Sequence, residues 1–200
     1  MCGRYTVFAE EEIIEMQAII SEVSARFGPE AIKTGEFFPT NTAPILTLND
    51  NRLAPRPVVW GFPRWDGKGT IINARSETAL EKRMFSKPLL TRRCVIPSTG
   101  FYEWLHFDGK TKKDKFLFRR PGESMLYMAG MVDTFKVADG AARDTFVILT
   151  TAANASMSPF HDRIPVILAP DEREEWLGDD GFMRLVLARE GPELAWAKAG

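Results

Sequence analysis

The chain has 200 residues, 44% hydrophobic and 26% charged, as expected of one soluble domain large enough to bury its own core. With 26 basic and 27 acidic side chains the formal charge is -1, so any contact with nucleic acid must come from a local basic patch and not from the charge of the whole. Two cysteines without CxxC spacing, Cys2 and Cys94, argue against a disulfide framework and against a zinc site. Glu10, Glu11 and Glu12 leave no room for an apolar signal core, and no apolar run reaches membrane-spanning length, which together fit a reducing, cytoplasmic location.

In chain order, Ile13, Met16, Ile20, Val23 and Phe27 recur at three- and four-residue steps and predict a helix. The glutamates before it suit the positive end of its dipole, and Gly28-Pro29 stops it. A loop is expected through Pro39, Asn41 and Pro44. Short apolar or alternating runs then predict strands at 58–60, 70–72, 94–96, 116–118, 126–132 and 146–149, with Asp108-Gly109 and Asp139-Gly140 as hairpin turns. Helices are expected at 74–85, ending before Pro88, and at 170–177 and 182–188. This is an α+β pattern, a single domain over 1–190 with a barrel-like, mostly antiparallel curved β core and flanking helices. Residues 191–200 carry little periodicity and read as a loose tail.

Chemistry concentrates at a few positions. Loss of the initiator methionine would leave Cys2 with an α-amine and a thiol on one residue, both partly nucleophilic near neutral pH. Such a 1,2-aminothiol condenses with aldehydes: the amine forms an imine and the thiol closes on it as a thiazolidine. The plain alternative is a small buried residue opening a strand. Cys94, inside an apolar run, reads as core. Glu103 stands among the aromatics of Gly100-Phe101-Tyr102-Glu103-Trp104, where apolar surroundings would raise its pKa for acid–base work; an edge-strand glutamate in solvent is the alternative. His161 could move protons or be structural. Asn73 and Arg75 at the entry to a helix could hold an anion, while Ser76 and Glu77 could simply cap it. Trp60, Phe62 and Trp65 could stack on unpaired bases or pack in the core. Arg4, Arg75, Arg92, Arg93 and Arg163 could track phosphates if they converge, whereas Lys110, Lys112, Lys113 and Lys115 read as a solvated hairpin.

The ordered blocks are more specific than any one residue. They are Met-Cys-Gly-Arg at the start, Asn73 to Thr78, Arg93 to Pro97 leading into Gly100 to Trp104, Ala129-Gly130, Leu149 to Asn154 and His161 to Leu168. Together they resemble the SOS response-associated peptidase (SRAP) family from residue 2 to about residue 177. The resemblance implies single-stranded DNA carrying abasic sites as partner, with a preference for single-strand to double-strand junctions. It implies a thiazolidine cross-link from Cys2 after removal, possibly by self-cleavage, of the preceding methionine, and so an enzyme with peptidase and possible lyase character. By matching position it implies catalytic roles for Cys2, Asn73, Glu103 and His161. DNA contacts are implied for Arg4, Trp60, Trp65, Arg75, Thr150 and Arg163. It implies no metal and no cofactor, a monomer, and a cytoplasmic protein that joins the nucleoid when bound to DNA. The segment 60–65 is shorter than the family's usual loop. Two other readings stay open: a cysteine peptidase acting on other proteins, with Cys2 as nucleophile and His161 as base, or a DNA-binding module that forms no covalent bond.

Overall fold

A computed structural model describes residues 3–8, 13–105, 114–136 and 140–199. In chain order its strands are β1 (Tyr5–Val7), β2 (Gly35–Phe37), β3 (Thr42–Asn49), β4 (Arg52–Trp60), β5 (Phe62–Pro63), β6 (Thr70–Ile71), β7 (Asn73–Arg75), β8 (Arg93–Ser98), β9 (Gly100–Leu105), β10 (Asp114–Arg119), β11 (Leu126–Lys136), β12 (Ala142–Ala152), β13 (Arg163–Pro165), β14 (Ile167–Leu168) and β15 (Ala195–Ala199). The helices are α1 (Ile14–Phe27), α2 (Ser76–Ala79), α3 (Arg83–Thr91), α4 (Arg173–Gly178) and α5 (Asp180–Ala188), with one 3-10 turn at Pro170–Glu172.

Five strands close into a barrel. The ladder runs β12-β4-β3-β8-β11 and returns to β12, antiparallel at every step except the parallel β12–β4 seam. Closure leaves these strands without free edges. It also explains the unbroken run at 93–98, where every residue of β8 is buried and no polar alternation is possible. Gly130 of β11 marks the tightest point of the filling. A Cβ there would stand 2.5 Å from Ile96 Cδ1 and 2.6 Å from the Val147 carbonyl oxygen.

A second antiparallel sheet, ordered β15-β10-β9-β1-β2, lies beside the barrel. Its register lines up Phe37, Tyr5, Phe101, Phe118 and Trp196 as one row, a ring from every strand. Tyr5 stacks on Phe37 and Phe101 on Phe118, both at 5.3 Å between centroids, and Tyr5 reaches the barrel through Trp60 at 5.1 Å. Helix α1 lays Met16, Ile19 and Val23 on β3 and β4. Among the described residues no helix is long and apolar enough to cross a membrane.

The barrel-like α+β architecture agrees with the expectation from sequence, and four local expectations do not hold. The loop through Pro44 is instead the start of β3, where Pro44 pairs with Pro57 and, two rungs on, Leu46 pairs with Pro55. The helix expected at 74–85 begins as β7, because Ala74 and Arg75 pair with β12, and it is split into α2 and α3. Helix α3 then runs through Pro88 to Thr91, since Phe85, Pro88 and Leu89 bury together and outweigh the lost hydrogen bond. The loose tail is β15, paired with β10 from Arg119–Ala195 to Lys115–Ala199 and covering Phe116 with Trp196. Glu10 to Glu12, Asp108-Gly109, Asp139 and the lysines at 110, 112 and 113 lie outside the described residues.

Replacing Gly130 by Ala should destabilise the fold by about 2 kcal/mol, the usual cost of overfilling a packed interior. Urea unfolding of G130A checks it, with a lower midpoint and an unchanged slope expected.

Candidate functional site

The site draws on two strands of different sheets. On the first side, Gly100 opens β9 with φ +150 and no room for a side chain, since a Cβ would meet the Phe118 carbonyl oxygen at 2.9 Å. This close approach of β9 to β10 sets the alternation that follows. Phe101 and Glu103 point to the face of the aromatic row, and Tyr102 and Trp104 to the other. Glu103 therefore sits directly across from Phe116 and is 5% exposed. Burial raises its carboxyl above the ordinary range, and the nearby charge of Asp162 pushes it the same way. The Tyr102 backbone N–H donates to the Arg4 carbonyl at 2.8 Å, so the chain runs from Arg4 to Gly3 alongside the position of Glu103.

Arg4 itself is on the opposite face. Its guanidinium lies 3.9 Å over Phe38 and 5.0 Å from the Trp104 ring, and it pairs with Glu36 at 3.4 Å. Lys115 is not a free hairpin lysine: it pairs with the same Glu36 and sits 3.8 Å over Tyr102.

On the second side, the end of β12 is flanked by β7 and β13. Asn73 pairs with Ile148, Arg75 with Thr150, and Arg163 with Ala152 across the other edge. Asn73 is buried and Arg75 is exposed. Arg163 is buried, with both terminal nitrogens on the Glu77 carboxylate at 2.6 and 2.7 Å and one of them also donating to the Thr150 carbonyl at 2.7 Å. Glu77 is held below the ordinary carboxylate range by the Arg163 hydrogen bonds.

His161 lies two residues before Arg163, in the turn leading into β13. With the proton of the neutral ring on Nε2, its Nδ1 accepts from the Arg163 backbone N–H at 2.9 Å. The same Nδ1 is 2.7 Å from Asp162 Oδ1. A charged ring can turn its Nδ1–H onto that carboxylate instead, so each protonation state has a partner. This is the arrangement a proton-transfer group needs. Asp162 ties the two sides together, since its charge is felt at Glu103 and its carbonyl accepts from the Ala153 N–H at 3.0 Å.

Several sequence assignments change. Trp60 is fully buried, stacked on Phe146 and tilted against Tyr5 with its Nε1–H on the Ile72 carbonyl, and cannot meet a base. Thr150 is fully buried beneath Arg163, and the charge of Arg163 is compensated by Glu77, so neither is placed to contact a phosphate. Arg92 and Arg93 do not join Arg75: Arg92 pairs with Asp144 and Asp133, and Arg93 is buried on the Trp176 carbonyl and Asp180. Cys94 is buried, which drives its thiol pKa upward and keeps it unreactive. Trp65 is 90% exposed on the β5–β6 hairpin and remains free to stack. Cys2 lies outside the described residues. Glu77, read from sequence as a possible helix cap, instead pairs with Arg163, and Asp162 and Glu36 are partners that sequence alone does not mark, although Asp162 adjoins His161 in the chain.

Among the described residues no cluster of His, Cys, Asp and Glu could hold a metal. A cavity of about 680 Å³ is lined by Ser76, Glu77, Thr151, Arg184 and Leu187, among others, and by none of Asn73, Glu103 and His161.

The family model described as SOS response associated peptidase (SRAP) matches residues 1–195. The chain belongs to the SRAP family. Abasic site processing protein YoqW of Bacillus subtilis is 39% identical over 191 residues, covering 88% of this chain and 80% of that protein. Abasic site processing protein YedK of Escherichia coli is 33% identical over 199 residues, covering 98% and 85%. A crystal structure of a Bacteroides thetaiotaomicron protein, 23% identical, superposes with a TM-score of 0.82 over 98% of this chain and 91% of its own, which shows the fold.

Replacing Glu77 by Gln should lower stability by about 1–3 kcal/mol by leaving the buried Arg163 uncompensated. Because the Glu77 pKa is depressed in the folded state, this contribution is present above the unfolded carboxylate pKa and disappears as pH falls through the folded one. Melting temperatures of E77Q and the parent should therefore converge as the solution is acidified.

Proposed function

We propose that this SRAP protein captures abasic sites in single-stranded DNA by a thiazolidine bond from Cys2. The observation that supports the reading best is the buried Glu103 on β9, its carboxyl pKa raised by burial, alongside the segment that holds Arg4, with the His161–Asp162 pair close by. Cys2 is one peptide bond from Gly3, and hydrolysis of the Met1–Cys2 bond frees its α-amine for the reaction. The names of the relatives, abasic site processing proteins, point to the same lesion.

The chemistry follows from the groups present. The ring-opened sugar offers an aldehyde at C1′. The Cys2 amine adds to that carbon, Glu103 gives its proton to the departing hydroxyl, and water leaves as the imine forms. The thiol then adds to the imine carbon; a C–S bond forms, its proton passes to the nitrogen, and the thiazolidine closes. The sum is one water lost. Closing the ring removes the imine that would otherwise drive strand cleavage by β-elimination, so capture protects the strand. His161 carries protons in ring closure and in its reversal. Asn73 is the candidate donor to the sugar oxygens, Arg75 meets a flanking phosphate, and the exposed Trp65 stacks on an unpaired base.

Intact mass after incubation with an oligonucleotide bearing one abasic site tests the reading. The Met1-processed protein should give a heat-stable adduct at the summed mass less one water, and Cys2→Ser should give none; an equal adduct from Cys2→Ser overturns it. Glu103→Gln and His161→Ala should slow adduct formation by about 10²-fold, within the range of general acid–base catalysis, without loss of folding. In the parent the rate should fall as pH rises past the elevated Glu103 pKa, and Glu103→Gln should lack that limb.

Arg75→Ala should weaken binding to single-stranded DNA and reduce the slope of log affinity against log salt by about one unit. Unchanged affinity and slope would remove Arg75 from the interface.

A further inference from the structure

The segment 191–199 runs along the turn that carries His161 and touches it at three places. Asn154 Nδ2 donates to the Gly191 and Pro192 carbonyls at 2.9 and 2.7 Å. The Leu194 backbone N–H donates to Ser156 Oγ at 3.1 Å, and that hydroxyl in turn donates to Asn154 Oδ1 at 2.7 Å. Trp196 meets Phe160, the residue immediately before His161, at 5.2 Å between ring centroids.

Phe160 is the joint between this turn and the Glu103 strand. It packs edge-on to Phe116 at 4.9 Å and to Phe118 at 5.0 Å. Phe116 is directly across from Glu103, so their side chains share a face. Trp196 closes the cluster, edge-on to Phe116 at 5.3 Å, and is itself fixed by the pairing of β15 with β10 and by a Lys198–Asp114 ion pair at 3.0 Å. One continuous set of rings therefore runs from Trp196 through Phe160 and Phe116 to the strand of Glu103.

We infer that Trp196, on the C-terminal strand, is a positioning residue: through Phe160 it holds the His161 ring against Asp162 and toward Glu103. The inference rests on the capture reading above for the reaction it serves, and on ring geometry alone for the contact. Trp196 touches no reacting atom, and half of it is exposed, so its contact with Phe160 is available for substitution without opening the barrel. Removing its ring leaves Phe160 unsupported on one side. The His161 turn can then rotate, and the Nδ1 geometry that couples proton gain to the switch from the Arg163 N–H to Asp162 is lost.

The experiment compares the Met1-processed parent with Trp196→Ala, Trp196→Phe, His161→Ala and the Trp196→Ala/His161→Ala double variant. Two readouts are taken: the rate of heat-stable adduct formation against pH, and the ring-nitrogen NMR signals of His161, one of only two histidines in the chain. Trp196→Ala should slow the adduct about 10-fold and shift its pH profile toward that of His161→Ala. It should add nothing in the double variant, and Trp196→Phe should restore most of the rate. The His161 signals of Trp196→Ala should move from one tautomer toward an average of two. Unchanged His161 signals and rate in a folded Trp196→Ala, or full additivity in the double variant, overturn the inference. Should Trp196→Ala fail to fold by circular dichroism, Asn154→Ala releases the same turn from the same segment and is judged by the same two readouts. If the parent itself gives no adduct, the capture reading fails, while the His161 signals still decide whether Trp196 holds the ring.

Discussion

A row of aromatic rings crossing five strands, from Phe37 through Tyr5, Phe101 and Phe118 to Trp196, is the constraint on which the candidate site depends. Side chains on a strand alternate, so the choice of face for one residue decides the face of all. Once Phe101 is committed to the apolar side, Glu103 must follow it into the same environment, and Tyr102 and Trp104 must face the other way. The elevated pKa of Glu103 is thus a consequence of sheet register. A one-residue slip would expose Glu103 and bury Trp104 in its place.

The barrel contributes the other half of the site through one strand. β12 closes the ring against β4 and β11, then extends beyond it to pair with β7 on one side and β13 on the other. Asn73 and Arg75 arrive by the first pairing, and Arg163 by the second with His161 just ahead of it in the chain. The Arg163–Glu77 pair and the Arg163 bond to the Thr150 carbonyl lock these three segments into one unit. Buried charge here holds the scaffold, and Arg75, exposed beside it, is left to meet solvent or a ligand.

That division explains why net charge is a poor guide to what the protein binds. Arg4, Arg56, Arg92, Arg93, Arg163, Arg173 and Arg189 all stand in ion pairs with carboxylates. Asp144 alone accepts from Arg56 and Arg92, and hydrogen bonds from Thr134 and these two arginines lower its pKa to about 2 against the opposing effect of burial. Basic residues that form a list in the sequence are, in space, mostly fasteners, and exposure rather than residue type separates a phosphate contact from a structural cation.

By itself the sequence determined the class of fold, the presence of α1, the cores of strands such as β8, β10, β11 and β12 and the order of the family blocks, because these rest on local periodicity and on residue types at fixed spacing. The face of α1 that it marked is only partly the buried one, with Ile19 in place of Ile20 and Phe27 exposed. It also marked Glu103, His161, Asn73 and Arg75 as chemistry-bearing. Only the tertiary structure decided that Trp60 is core while Trp65 is exposed, since two tryptophans five residues apart look alike until the chain is packed. It alone paired Arg163 with Glu77, 86 positions away, and so withdrew Arg163 and Thr150 from the candidate DNA surface. It carried a helix through Pro88 and a strand through Pro44, where burial and a shared rung outweigh local preference. Most of all, it turned a weakly periodic C-terminal segment into β15. Five residues such as Ala195 to Ala199 have no face of their own, and they become a strand only because β10 presents an edge with Phe116 and Phe118 to cover.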